Sequence, residues 1–154
     1  KEQSFIEFPK QGLIELNLIS NTINKLSGGL LLIDYGFLKQ QSKNTLQSVK
    51  NHKPNMLYDN VGKADITSLV NFSLLENYLK KKKLRVGNIV TQEFFLKRLG
   101  IIKRAEILSN RMNFKEKSDL YLRLQRLLNP KQMGRLFKVI SAFRLKKKFS
   151  LGFI

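Results

Sequence analysis

Whatever chemistry this chain offers gathers around a few polar residues at the ends of apolar runs. Asp34 stands at the exit of Gly28-Gly29-Leu30-Leu31-Leu32-Ile33-Asp34-Tyr35-Gly36. An unbroken apolar run of this kind predicts a strand buried on both faces, as in parallel sheets covered by helices. In open α/β sheets the ligand crevice lies outside the carboxyl ends of the strands, which puts Asp34, Tyr35 and Gly36 where a substrate would meet the protein. Asp65, in Gly62-Lys63-Ala64-Asp65-Ile66-Thr67, precedes an apolar segment. Either carboxylate can hold a cationic substrate group, or it can simply cap a turn, as Asp does routinely. Tyr35 can stack on a substrate or pack against a neighbour. His52, the one histidine, has no serine or cysteine nucleophile pattern around it, and a hydrogen-bonded turn residue is its plainer reading.

Several chemistries are excluded by residue type. With no cysteine there is neither a disulfide nor a thiolate metal site, and one histidine cannot build a zinc site without carboxylate help. Gly28-Gly29 precedes its strand, whereas a phosphate-binding glycine loop follows one. No apolar run approaches the ~18 residues of a membrane span, and no hydrophobic signal segment opens the chain. The 154 residues, 42% of them hydrophobic, suffice for one domain with a real core. A start at Lys1 with sequence that already reads as ordered suggests a piece of a longer protein.

The charge is uneven. Residues 1–77 hold 8 Lys/Arg and 7 Asp/Glu, net +1, whereas residues 78–154 hold 21 and 4, net +17. Such a field draws phosphate, anionic lipid or acidic protein surface toward it. An AT-rich coding bias that inflates lysine is the plainer source of the same excess.

The elements that must position these residues can be read from periodicity. Leu13, Leu16, Ile19, Ile23 and Leu26 recur at three- and four-residue steps and predict an amphipathic helix over 12–26, capped by the glycines before the apolar strand. Helix, glycine turn and strand make the second half of a βαβ unit. Residues 44–52 read as a strand or an ordered loop. A helix is predicted over 71–79, ending in Lys80–Lys83, whose cations suit a helix C-terminus. A strand is expected over 84–90, interrupted by Gly87, then a helix capped by Thr91 and closed by Gly100. Helices follow over 101–110 and 115–128, the latter stopped by Pro130, then a strand over 136–143 and a basic, aromatic tail from Lys146 to Phe153.

Five blocks stand in order along the chain: residues 28–36, Asn44–His52, Gly62–Phe72, Thr91–Ile101 and Met133–Val139. Together they resemble the MidA-like S-adenosylmethionine-dependent methyltransferases, whose mitochondrial relatives look after assembly of respiratory complex I. The resemblance implies an α/β fold, a class I (Rossmann-like) methyltransferase sheet of which this chain is the C-terminal half. On that mapping Leu30–Asp34 is the fifth strand, Leu84–Val90 the sixth and Leu136–Phe143 the antiparallel seventh, with the helices of 91–128 inserted before it. The cofactor would be S-adenosyl-L-methionine, bound mainly by an upstream half carrying the glycine-rich loop, so no cofactor residue is expected in this segment and no metal is required. Leu69 and Asn71 stand where the family usually has His and Asp, Glu93 where Gly is common, and Ser150-Leu151 where a proline pair is usual.

The resemblance also implies a protein substrate methylated on arginine, such as a respiratory subunit. It implies the cytoplasm for a bacterial protein and the mitochondrial matrix for a eukaryotic one. A guanidinium stays protonated in water and must be gripped by acceptors. Asp34 and Asp65 are the expected grip, with Tyr35, Gly36, His52 and Thr67 shaping the pocket. Two rivals remain: a small basic module binding nucleic acid non-specifically through the +17 half, and an assembly factor without turnover.

Overall fold

The computed structural model describes residues 6–39, 44–144 and 152–153. The Lys146–Lys148 run and Ser150-Leu151 lie outside the described residues. Helix α1, Lys10–Leu26, turns Leu16, Ser20 and Ile23 inward at steps of four and three. Ile19 and Leu26, counted in the apolar stripe on spacing, are exposed. The left-handed cap falls on Ser27, at φ 56°, and Gly28 instead donates its N–H to the Ile23 carbonyl at 3.2 Å.

Strand β1, Gly29–Phe37, corrects the expectation of a strand buried on both faces: its burial alternates along the chain. Leu30 and Leu32 pack on the core with Leu16, Ile23, Phe72 and Leu79, whereas Leu31 and Ile33 on the opposite face are 46% and 44% exposed. The strand with two covered faces is the last one, β8, Phe137–Phe143. Its Ile140 and Ala142 join the core under the first helix, while Val139 packs on Phe95 and Phe153 across the sheet. β8 runs antiparallel to β1 in register from Gly29↔Phe143 to Tyr35↔Phe137. It is also bonded along its other edge, and this central position is why its residues are covered.

That other edge holds two short strands, β6 (Arg85–Val86) and β7 (Val90–Thr91), in place of one strand over 84–90. β6 pairs Arg85↔Phe143, β7 pairs Val90↔Val139, and the register slips by one residue between them. Three residues then stand against two, as in a bulge. Gly87 makes it possible: its N–H reaches the Ser141 carbonyl at 2.8 Å, and a Cβ there would lie 2.6 Å from the Ser141 hydroxyl. On the far side of β1, β5 (Val70–Asn71) runs parallel to it, pairing Gly36↔Val70 and Phe37↔Asn71. A separate small sheet is formed by β2 (Gln47–Lys50), β3 (Lys53–Asn55) and β4 (Asp65–Thr67), in the order β3-β2-β4.

Helix α2, Phe72–Lys81, is capped by Asn71, whose side chain accepts the Leu74 N–H at 3.0 Å. Helix α3, Gln92–Arg98, starts at Thr91 in the same way, and Gly100 takes φ 82° to turn the chain into α4, Ile101–Ser109. Helix α5, Phe114–Leu128, opens on a capping box: Asn113 accepts from the Glu116 backbone while the Glu116 carboxylate accepts the Asn113 N–H. A short helix α6, Met133–Leu136, takes residues that periodicity merged into the last strand. No helix among the described residues is long and apolar enough to cross a membrane.

Candidate active-site cavity at the exit of β1

Because a strand alternates its side chains, Asp34 shares the face of Leu30 and Leu32, and Tyr35 takes the other. The Tyr35 ring packs edge-on against Phe137, 5.4 Å between centroids at 85°. Asp34 instead lines a cavity of about 590 Å³ between α1, β1, β5 and the segment ahead of α1. The walls are apolar, from Leu13, Leu16, Leu32, Val70, Phe72 and Leu75 among others. Among the described residues the lining includes three acidic ones, Asp34, Glu7 and the exposed Glu15, and no Lys, Arg or His. In a chain of net charge +18 that is a local inversion of sign.

Each carboxylate is held by neutral donors. Asp34 accepts the Tyr35 N–H at 2.8 Å. Glu15 accepts from the Gln11 amide at 2.9 Å. Glu7 accepts the Thr45 N–H at 2.7 Å and lies within 2.8–2.9 Å of the Thr45 hydroxyl, which in turn accepts the Leu69 N–H at 2.9 Å. Thr45 thus ties the segment before α1 to the segment before β5, and so fixes one wall. Three ion pairs, Glu76–Lys80, Glu93–Lys97 and Glu106–Lys103, lie within single helices, and none of their residues lines the cavity.

Of the six residues singled out in the sequence, Asp34 alone lines this cavity. Gly36 sits behind it: a Cβ there would lie 2.2 Å from the Val70 carbonyl oxygen and 2.7 Å from the Phe72 ring, so its part is to let β5 approach. His52 and Asn51 form the two-residue turn of the β2–β3 hairpin, at φ 62° and 50°, the pair of left-handed conformations a tight hairpin requires. His52 lines a different cavity beside Met56 and Tyr58. Asp65 is exposed and pairs with Val49, and Thr67 accepts from the Gln47 amide at 3.1 Å. These three belong to the small sheet. Glu7 and Glu15 were missed because neither lies near the strand exit in sequence. Glu15 is an exposed residue of α1, and its place in the lining follows only from the packing of α1 on β1.

Cofactor fit turns on the strand-to-helix junctions. β5 enters α2 at Asn71 and β7 enters α3 at Thr91, and in both a capping side chain takes the orphan N–H that a glycine cradle would offer to a ligand. Neither junction offers a glycine cradle of that kind.

A central antiparallel strand, a parallel partner at the far edge and helices packed on the sheet define a mixed α/β fold. Residues 1–90 match the model of a family described as putative S-adenosyl-L-methionine-dependent methyltransferase, and the chain belongs to that family. It is similar to the mitochondrial protein arginine methyltransferase NDUFAF7 of Homo sapiens, 32% identical over 130 residues, covering 84% of this chain and 29% of the human one. For that of Xenopus tropicalis the identity is 29% over 142 residues, covering 88% of this chain and 31% of the relative. The chain therefore spans about a third of these relatives' length. Among solved structures, an uncharacterized Burkholderia thailandensis protein superposes with a TM-score of 0.74 at 23% identity, covering 87% of this chain and 39% of that one. A second structure from that organism, bound to S-adenosyl-homocysteine, gives 0.64 at 23%, covering 90% and 37%.

Proposed function

We propose that this chain is the C-terminal part of an S-adenosylmethionine-dependent protein methyltransferase acting on arginine, and that the β1 cavity receives the cationic side chain. One observation carries the reading: among the described residues, three acidic residues and no cation line an apolar cavity in a strongly basic chain. An arginine side chain has matching chemistry, since its methylene stem suits aliphatic walls and its guanidinium needs acceptors at the end. Asp34, partly buried beside Leu32, would hold that group against an apolar wall, where attraction is stronger than in bulk water. S-adenosylmethionine, when bound, supplies the sulfonium methyl. The residues here contribute position and charge.

The assignment to the C-terminal part is supported by β1 itself. Along Gly29–Tyr35 its second edge has no partner strand among the described residues, since β5 reaches only Gly36 and Phe37. An apolar strand bare along one edge fits a sheet that continues there. The mitochondrial label of the relatives favours the matrix for a eukaryotic protein, and a respiratory subunit as substrate follows from the resemblance alone.

The test is Asp34→Asn in the full-length enzyme. Methyl transfer to an arginine substrate is expected to fall by about 10²-fold, the scale for removing one electrostatic positioning group, with cofactor affinity and melting temperature nearly unchanged. Unchanged turnover would remove Asp34 from the site.

A further inference from the structure

The basic half has a structured surface of its own, apart from the β1 cavity. All eight arginines of the chain follow residue 84, and residues 92–136 hold 11 Lys/Arg against 4 Asp/Glu. Three of those four acids are already engaged: Glu93 with Lys97 at 2.6 Å, Glu106 with Lys103 at 3.2 Å, and Glu116 inside the α5 capping box. The positive field of this segment is therefore not cancelled within it.

Between α4 and the start of α5 lies a groove of about 560 Å³ lined by Arg104, Ile107, Leu108, Arg111, Met112 and Glu116. Arg104 stands on α4 one turn before Leu108, and Arg111 follows in the turn after the helix, so an arginine stands on each side of the aliphatic pair Ile107 and Leu108 in the groove lining. Ile107 is 53% and Leu108 38% exposed, and neither arginine has an ion pair among the described residues. Arginine presents a planar donor fork that matches a carboxylate in two-point geometry, and an exposed aliphatic floor takes an apolar side chain.

We infer that the α4–α5 groove docks an acidic protein segment in which carboxylates flank an apolar side chain. Charge complementarity supplies the attraction, and the Ile107–Leu108 floor supplies the selectivity that a bare field lacks. A nucleic acid suits this surface less well. Single strands bind on aromatic platforms, whereas the floor here is aliphatic.

The experiment uses the 154-residue chain and three labelled probes of equal charge: a short peptide of Glu interspersed with Leu and Phe, a Glu-only peptide, and a single-stranded oligonucleotide. Arg104→Glu with Arg111→Glu is expected to weaken the mixed peptide by about tenfold or more. The same charge change at exposed Lys63→Glu and Lys81→Glu, outside the groove, should cost about twofold or less, because distant exposed charges are screened. Ile107→Ser should weaken the mixed peptide and leave the Glu-only peptide unchanged. Equal losses from both charge reversals, or an oligonucleotide that binds more tightly than the mixed peptide and ignores Ile107→Ser, would overturn the proposal. Circular dichroism melts check folding, and Arg104→Gln with Arg111→Gln replaces the reversal if it unfolds the chain.

Discussion

Replacing Gly36 by alanine should destabilise the protein through a single methyl group. Its φ is not in the left-handed region, so the cost is steric and not conformational. The new Cβ would lie 2.2 Å from the Val70 carbonyl oxygen and 2.7 and 2.8 Å from two atoms of the Phe72 ring. Neither neighbour can step aside: one is backbone, and Phe72 is wholly buried in the main core. Relief must come from β5 moving away from β1, which breaks the Gly36↔Val70 and Phe37↔Asn71 pairing and shifts the cavity wall that continues into α2. Overpacking of this kind costs about 1–3 kcal/mol. The ladder bonds add about 0.5–1.5 kcal/mol each. Alanine recovers about 0.4–1 kcal/mol by restricting the unfolded chain. The net loss is about 2–5 kcal/mol, a large share of the roughly 5–15 kcal/mol that holds a domain together. At about 2–4 °C per kcal/mol for a chain of this size, the melting temperature should fall by roughly 4–20 °C. Urea denaturation with matched thermal melts measures both. A fall of less than about 1 kcal/mol would refute the account, since the methyl would then have been absorbed without moving β5.

Asn113→Ala removes the side-chain acceptor of the α5 capping box and should cost about 1 kcal/mol, read as a shift of the urea midpoint at unchanged slope. Lys138 has its pKa held below the usual lysine value by burial, with its ammonium against the Arg135 and Leu136 carbonyls. The unfolded chain therefore binds more protons across the interval between the lowered value and 10.5, and stability from this group rises with pH there. Lys138→Gln should flatten that alkaline rise, measured as the difference in urea midpoints between pH 8 and pH 10 relative to the parent protein.

Local rules were legible where a residue type settles its own backbone. The cap at Thr91, the stop before Pro130 and the turn at Gly100 follow from short-range hydrogen bonding and sterics, and the helices they bound could be read from spacing. The apolar run at 30–33 announced a strand, and Asp34 at its exit announced a candidate site. Periodicity could not say how many neighbours that strand has, because coverage depends on sheet order, and the strand covered on both faces proved to be β8. Nor could it divide 84–91 into two strands, since the one-residue slip arises from the approach of Gly87 to Ser141, 54 positions away. His52, Asp65 and Thr67 were expected beside Asp34, yet sheet topology sends them to a separate sheet. Glu7 and Glu15 gave no signal at all, because a carboxylate on a polar helix face or in a leading segment is ordinary until folding turns it toward a cavity. The chain alone determined element types, caps and the excess of charge, all of which depend on near neighbours. Only the tertiary structure decided which carboxylates share an apolar wall, because that depends on how α1 and β5 pack against β1.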